Sequence, residues 1–315
     1  MILTSIPSPP VGVWYLGPIP IRAYSILMVC AIALAAWITY RRYVKRGGLA
    51  DVAYDTFFWA IPFGIVGARL YHVVTHWGDF FYPGADPWAI FKTWEGGIAI
   101  WGAIGFGAVG AFIGLRRAGQ RVGPFADSLA PGLLIAQVLG RVGNYFNQEL
   151  YGGPTDLPWG LEISPERMVE DYPPGTLFHP TFLYEGLWNT AGALILLWLD
   201  RRFKFKSGQI MALYMVIYGS GRFWIEQIRT DFSYAFLGIR TNAWTALLAV
   251  ALGLLVFFIA GRIGAPSQVD RAERLRYFEL RAERKGESIP ESELAEATLG
   301  DTSDAEDSAE HDRLK

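Results

Sequence analysis

What most constrains this chain is a rhythm of seven apolar segments joined by loops, of which every second one is basic. The segments are Ile21–Tyr40, Val52–Val74, Gly97–Leu115, Phe125–Asn144, Thr181–Leu199, Gly208–Ile228 and Thr241–Ile263. Each is close to the roughly 20 helical residues that a bilayer requires. RRYVKR follows the first, RRAGQR the third and DRRFKFK the fifth, and Arg262, Arg271, Arg274 and Arg276 follow the seventh. The intervening loops, 75–96, 145–180 and 229–240, hold only Lys92, then Arg167, then Arg229 and Arg240. Positive charge stays on the cytoplasmic side of a membrane. The alternation therefore predicts an odd number of spans, with the N-terminus outside and the C-terminus in the cytoplasm. One span missed or invented would break it.

Composition agrees. Charged residues are 18% of the 315, against about 25% in soluble domains, and 52% are hydrophobic. Residues 1–20 carry no Lys or Arg, the reverse of a secretory leader, so the first segment reads as a retained anchor. The single cysteine, Cys30, allows neither an internal disulfide nor a cysteine metal site. Residues 266–315 hold 8 Lys/Arg against 14 Asp/Glu, a net of −6, which leaves the remainder at +4. A mildly basic membrane part suits anionic lipid.

The predicted fold class is all-α: a polytopic membrane protein of seven transmembrane helices, residues 1–265, with a small extracytoplasmic cap at about 145–180. Trp159, Leu161, Ile163 and Met168 give that cap a core. Gly110-x-x-x-Gly114 and Ala103-x-x-x-Gly107 in the third segment predict close helix packing. Trp14, Tyr15, Trp77, Trp88, Trp94 and Trp159 fit interfacial belts. In the tail, 266–315, VDRAERLRYFELRAER reads as a surface helix, and disorder is expected after Gly286.

Chemistry concentrates in LGRVGNYFNQELYGG, Leu139 to Gly153, where Arg141, Asn144, Asn147, Gln148 and Glu149 follow an apolar run. On a helix, Gln137, Arg141, Asn144 and Gln148 fall within about 60° of one another. Tyr218, Arg222, Glu226 and Arg229 fall within about 80°. Polar stripes on apolar helices face a bundle interior. Arg222 and Glu226 are four apart, so an internal ion pair and a ligand role stand level. Arg141 and Arg229 have no such neighbour on their own face. An anion suits them better, and the guanidinium fork suits phosphate, here a phospholipid headgroup. Other intramembrane polar residues are Tyr24 with Arg22, Arg69 with His72, and Asp127, which reads as a cap of its own helix. His72 and His76 lack an HExxH arrangement, so no metal is expected. His179 reads as fixing the start of the fifth helix, with proton carriage as its alternative.

The stretch GRVGNYFNQELYG, Gly140–Gly152, resembles the signature of the bacterial prolipoprotein diacylglyceryl transferases. So do RAYSILM (Arg22–Met28), WEGG (Trp94–Gly97), HPTFLYE (His179–Glu185) and YGSGRFWIEQIRTD (Tyr218–Asp231), in the family's order over roughly residues 18 to 262. The resemblance implies a plasma-membrane enzyme of lipoprotein maturation. Its members move the diacylglyceryl group of phosphatidylglycerol to the lipobox cysteine thiol of a prolipoprotein signal peptide, releasing sn-glycerol 1-phosphate. It also implies that Arg141 and Arg222 hold or polarise the headgroup. Tyr24, Asn144 and Gly152 would be needed for activity, and Glu149, Tyr218 and Arg229 would belong to the same site. On this reading Arg222, Tyr24, Asn144, Glu149 and Tyr218 are catalytic, and Arg141, Arg229 and Gly152 bind lipid. No cofactor, metal or nucleic-acid partner is expected. One departure matters: Trp101, in WEGGIAIWGA, stands where family members commonly have histidine.

The reaction needs a thiol of pKa about 8.5 to attack the glycerol carbon bearing the phosphate ester. Preplaced guanidinium groups would stabilise the departing phosphate, at about 3–4 kcal/mol each in a dry site. The proton acceptor stays open among Glu149, Glu226, Tyr24 and water. A lipid transporter or flippase is the rival reading, although the internal repeat common in transporters is not found.

Overall fold

A computed structural model describes residues 5–93, 96–170, 172–231 and 233–298. In chain order the elements are β1 (Val13–Leu16), β2 (Ile19–Arg22), α1 (Ala23–Lys45), α2 (Ala50–Thr75), α3 (Trp77–Phe80), α4 (Ile100–Arg117) and α5 (Val122–Asn147). Then come β3 (Leu161–Glu162), β4 (Leu177–Phe178), α6 (Thr181–Arg202), α7 (Gln209–Ile228), β5 (Ala235–Phe236), β6 (Ile239–Arg240), α8 (Thr241–Ile263), α9 (Arg271–Lys285) and α10 (Glu291–Thr298). Short 3-10 turns lie at Pro87–Phe91 and Pro165–Arg167.

The protein is mostly helical. Five helices, α1, α2, α5, α6 and α8, are long and apolar enough to cross a membrane. The other two predicted segments also fold as helices, with 18 residues in α4 and 20 in α7. They are less apolar for identifiable reasons: α4 ends on Arg116 and Arg117, and α7 carries Arg222 and Glu226. The all-α expectation left out three short antiparallel pairs, β1–β2, β3–β4 and β5–β6. Two of them are hairpins that run straight into α1 and α8.

Two compact units can be separated, Met1–Arg42 with Phe125–Ser267, and Tyr43–Pro124 with Gln268–Lys315. In the second, α2 packs along α4 over the predicted small-residue face. A Cβ at Gly110 would lie 2.5 Å from the Trp59 carbonyl oxygen, and one at Gly102 would lie 2.1 Å from that of Gly67. Only glycine permits backbones this close. Arg69, predicted to be an intramembrane polar residue, is saturated by carbonyls. Its guanidinium donates to Ala89, Ile90, Gly96 and Gly97 at 2.6–3.0 Å. Trp94 lies outside the described residues.

The predicted tail helix is α9. After Gly286, where disorder is expected, the described residues reach 298 and include α10, which packs on α9. Buried Arg274 donates Nε to the Ala297 carbonyl at 3.0 Å, and Arg281 pairs with Glu293 at 3.4 Å. Glu273 accepts from Arg121 Nη2 at 2.7 Å and from the Arg121 backbone N–H at 3.0 Å, so it caps the start of α5. That bond, with the charge of Glu273, raises the pKa of the Arg121 guanidinium above its ordinary value. Residues 299–315 of the tail lie outside the described residues.

In the first unit, a core of Ala130, Leu134, Ala193, Leu196 and Ile210 joins α5, α6 and α7. Asp127 caps a helix, though not its own. Its carboxylate accepts from the backbone N–H groups of Gly208 and Met211 at the start of α7, at 2.8 and 3.0 Å, and from the Ser267 hydroxyl at 2.6 Å. Residues 145–180 form a small folded segment with a core of Tyr151, Leu161, Ile163 and Phe178. Met168 packs on this core, whereas Trp159 is largely exposed. Burial pushes the Tyr151 phenol above its ordinary pKa. It stays neutral, donating to the Arg167 carbonyl at 3.1 Å and accepting from Val169 N–H at 2.7 Å.

Gly110→Val should wedge α2 from α4. Over-packing of this kind costs about 1–3 kcal/mol, so thermal unfolding of the purified protein in detergent should show a lower midpoint, and an unchanged midpoint would remove the close approach.

Candidate functional site

The predicted polar stripes meet in the first unit, at the ends of α5 and α7 and the beginning of α6. Glu185, in the second turn of α6 and 5% exposed, stands between two arginines. Its Oε2 lies 2.8 Å from Arg141 Nε, and its Oε1 accepts from Arg222 Nη1 at 3.5 Å. Arg141 Nη1 donates to Asn144 Oδ1 at 3.0 Å. Asn144 Nδ2 donates in turn to Glu149 Oε1 at 2.7 Å, an oxygen shared with Asn147 Nδ2 at 3.1 Å. A line of polar contacts therefore runs from Glu149 through Asn144, Arg141 and Glu185 to Arg222.

It continues through Glu226, which is fully buried. Arg222 Nη2 lies 2.7 Å from Glu226 Oε2, the i,i+4 pair that the sequence left open. Glu226 Oε1 accepts from Arg240 Nε at 2.8 Å and from Asn242 Nδ2 at 3.1 Å. Arg240 also donates to the carbonyls of Arg229 and Asp231, at 2.8 and 2.7 Å. Arg229 closes the cluster, with its Nε on Asp231 Oδ1 at 2.6 Å. Four arginines (141, 222, 229, 240) pair with three carboxylates (185, 226, 231), while Glu149 is held by Asn144 and Asn147. Buried charge is tolerated when it is paired in this way.

Two sequence expectations need correction. No close carboxylate is expected on the own helix face of Arg141 or Arg229, yet the face of Arg229 offers Glu226 at 4.0 Å. Glu185 supplies one for Arg141 from another helix, and Asp231 supplies one for Arg229 from beyond the end of α7. A helical wheel sees neither. Gln148 was placed on the stripe of α5, but the helix ends at Asn147. Gln148 and Leu150 take left-handed backbone, φ 52 and 60, and the Gln148 side chain accepts from Ser164 N–H at 2.8 Å. Non-glycine residues in that region cost about 1–3 kcal/mol each and cluster at functional sites. Here they turn the chain so that Glu149 N–H meets the Asn144 carbonyl at 3.1 Å, next to the side-chain bond.

The remaining predicted residues divide. Tyr24, near the start of α1, packs on α5. Its ring lies 2.7 Å from where a Cβ on Gly143 would stand, so that position must stay small. Gly152 is packed rather than open. Its N–H donates to the His179 carbonyl at 2.9 Å, and a Cβ there would meet His179 Cβ at 2.7 Å and the Ile228 carbonyl at 2.9 Å. This close crossing ties the loop after α5 to Arg229, with which Gly152 forms an isolated bridge. His179 supports the start of α6, as predicted, and its Nδ1 lies 3.2 Å from the Tyr184 hydroxyl. Tyr218 is the one not brought into the network. Its ring stacks on Tyr214 at 5.9 Å, within the core shared by α5, α6 and α7. Trp101 belongs to the second unit and is 56% exposed.

Sequence reading missed Glu185, Asp231, Arg240 and Asn242. A signal for Glu185 was available: it is a carboxylate set in the apolar stretch of α6, far from Asp200 at the helix's charged end, and such a residue is a site candidate by default. Among the described residues Arg141 Nη2 and Arg222 Nε have no hydrogen-bond partner. No cluster of three or more His, Cys, Asp or Glu suited to a metal occurs among the described residues. The arrangement leaves spare guanidinium donors on both sides of one carboxylate, the chemistry an anion would engage.

A buried charge cluster among long apolar helices marks a membrane protein. The family profile described as prolipoprotein diacylglyceryl transferase matches residues 11–259. A phosphatidylglycerol–prolipoprotein diacylglyceryl transferase of Streptomyces griseus is 50% identical over 265 residues, covering 84% of this chain and 80% of that protein. Its counterpart in Paenarthrobacter aurescens is 47% identical over 287 residues, covering 88% and 90%. That of Leifsonia xyli is 51% identical over 248 residues, covering 76% and 74%. The chain belongs to the prolipoprotein diacylglyceryl transferase family.

Breaking the carboxylate that serves Arg222, Arg240 and Asn242 leaves buried charge unpaired, at a cost of about 3–5 kcal/mol. Glu226→Ala should therefore lower the thermal midpoint sharply, with Glu226→Gln between it and the wild type. Equal midpoints for all three, read by loss of monodisperse protein on heating, would remove Glu226 from its structural role.

Proposed function

We propose that this membrane transferase moves the diacylglyceryl group of phosphatidylglycerol to the lipobox cysteine of prolipoproteins, releasing sn-glycerol 1-phosphate. The observation that carries the reading at this site is the convergence of Arg141 and Arg222 on one buried carboxylate, each with a donor left over. The phosphodiester of the lipid takes those donors. The substrate's thiolate attacks the glycerol carbon, a carbon–sulfur bond forms and the carbon–oxygen bond to phosphate breaks. The bonding pair leaves on the phosphate, where Arg222 and Arg141 stabilise it. Guanidinium groups already in place need no reorganisation as that charge grows.

Glu149 is our candidate for the thiol's proton acceptor. It is exposed, one oxygen is held by Asn144 and Asn147, and the other has no partner among the described residues. Glu226 suits the task poorly, because it is fully buried and already accepts from Arg240 and Asn242 and pairs with Arg222. Asn144 and Tyr24 support this end of the site. On the same reading Arg229 and Gly152 bind lipid indirectly, by holding the loop crossing beside Glu226, and Tyr218 acts through the wall of the core. A proton acceptor other than Trp101 is required, since an indole N–H only donates.

All seven long helices span the membrane on this reading, with the N-terminus and the 145–180 cap outside and α9 and α10 in the cytoplasm. The alternation of basic loops supports that orientation. Substrates then meet at the outer leaflet.

Purified protein with phosphatidylglycerol vesicles and a lipobox peptide should add one diacylglyceryl mass to the cysteine. No mass gain, under conditions in which a known transferase works, would end this reading. Arg141→Ala should insert normally and lose at least about a hundredfold in kcat/KM, in line with removal of an oxyanion donor. Full turnover by that variant would detach arginine from the headgroup.

A further inference from the structure

Glu185 has no place in the chemistry above, yet among the described residues it alone joins Arg141 to Arg222. One oxygen meets Arg141 of α5 at 2.8 Å and the other meets Arg222 of α7 at 3.5 Å, while Glu185 itself belongs to α6. A carboxylate spans two guanidinium groups through two oxygens, as a phosphodiester spans them through its two non-bridging oxygens. We propose that Glu185 is a positioning residue that spaces the two arginines and, through its own charge, weakens their hold on the dianionic product. The inference rests on the proposed reaction.

The substrate phosphodiester carries one negative charge. The released glycerol phosphate is a monoester, whose second ionisation lies near pKa 6, so it carries close to two at neutral pH. Both sit beside the Glu185 carboxylate, which is 5% exposed and little screened by water. Like-charge repulsion therefore rises from substrate to product. The arginines cannot offset that rise: three ion-paired carboxylates already neutralise three of the cluster's four cations, and the monoanionic substrate takes up the one left. Two unopposed arginines would bind the dianion more tightly than the monoanion and stall turnover. The long Arg222 contact is the one that yields as lipid enters. The shorter Arg141 contact, braced by Asn144, keeps the spacing.

Inhibition of turnover by added sn-glycerol 1-phosphate tests this. Glu185→Gln keeps the shape and removes the charge. Its half-inhibitory concentration should fall about tenfold, the scale of one unit charge in a partly hydrated site, while KM for phosphatidylglycerol moves by less than about threefold. Glu185→Asp keeps the charge and loses the reach, so kcat/KM should fall with product sensitivity unchanged. A half-inhibitory concentration that stays the same or rises in Glu185→Gln overturns the proposal, since a merely structural carboxylate would leave it unmoved. Should Glu185→Gln not fold, the wild type decides: deacylated phosphatidylglycerol, a monoanionic diester, should inhibit at lower concentration than sn-glycerol 1-phosphate, and the opposite order overturns the idea. A wild type that transfers nothing removes the reaction instead. Calorimetric binding of sn-glycerol 1-phosphate to wild type and Glu185→Gln still answers for Glu185.

Discussion

A buried carboxylate between guanidinium groups is the interaction on which the rest of this structure depends. Glu226 is fully buried and joins Arg222, Arg240 and Asn242, and Glu185 joins Arg141 to Arg222. In a low-dielectric interior neither an arginine nor a glutamate survives alone as an ion. Pairing makes the charges affordable. Because the partners come from α5, α6, α7 and α8, it also locks four helices at one level. Van der Waals packing does the rest, as in the core of Ala130, Leu134, Ala193, Leu196 and Ile210.

On the proposed reading, the same network builds a site for an anion with a single excess positive charge, four arginines against three paired carboxylates. Its guanidinium groups are held by carboxylates on some donors and left with others unfilled. Preorganisation then comes from the protein's own anions, and the ligand meets arginines whose rotamers are already set. The left-handed residues Gln148 and Leu150 belong to this economy of position. They bend the chain after α5 so that Glu149 returns to Asn144, and the loop then crosses at Gly152 against His179 and Ile228. Substituting any of these residues disturbs geometry before it disturbs charge.

Much of the fold was legible beforehand. Each of the seven apolar segments became a helix of 18 residues or more, and the Gly110 face of α4 packs against α2 as its spacing implied. The pair Arg222–Glu226 could be read as possible because i,i+4 neighbours touch on any helix. Arg141–Glu185 could not, since 44 positions separate the partners and only the packing of α5 on α6 brings them together. Asp127 shows the same limit. Its side chain type announced a cap, but the helix it caps begins at Gln209. Helix α10 was missed because a short segment with three glutamates and only Leu294, Ala295 and Ala297 as apolar residues carries little helical signal, and its order comes from contacts with α9 such as Arg274 to Ala297.

By itself, then, the sequence determined the class of protein, the helices and the residue types of the site. Hydropathy, loop charge and arginine-rich motifs are local properties, written in runs of neighbours. Tertiary structure alone decided which carboxylate answers which arginine, that Glu185 lies between two of them, and that Tyr218 turns to the core. Those pairings depend on the approach of helices distant in the chain, where the cost of burying an ion selects its partner and no local pattern records the choice.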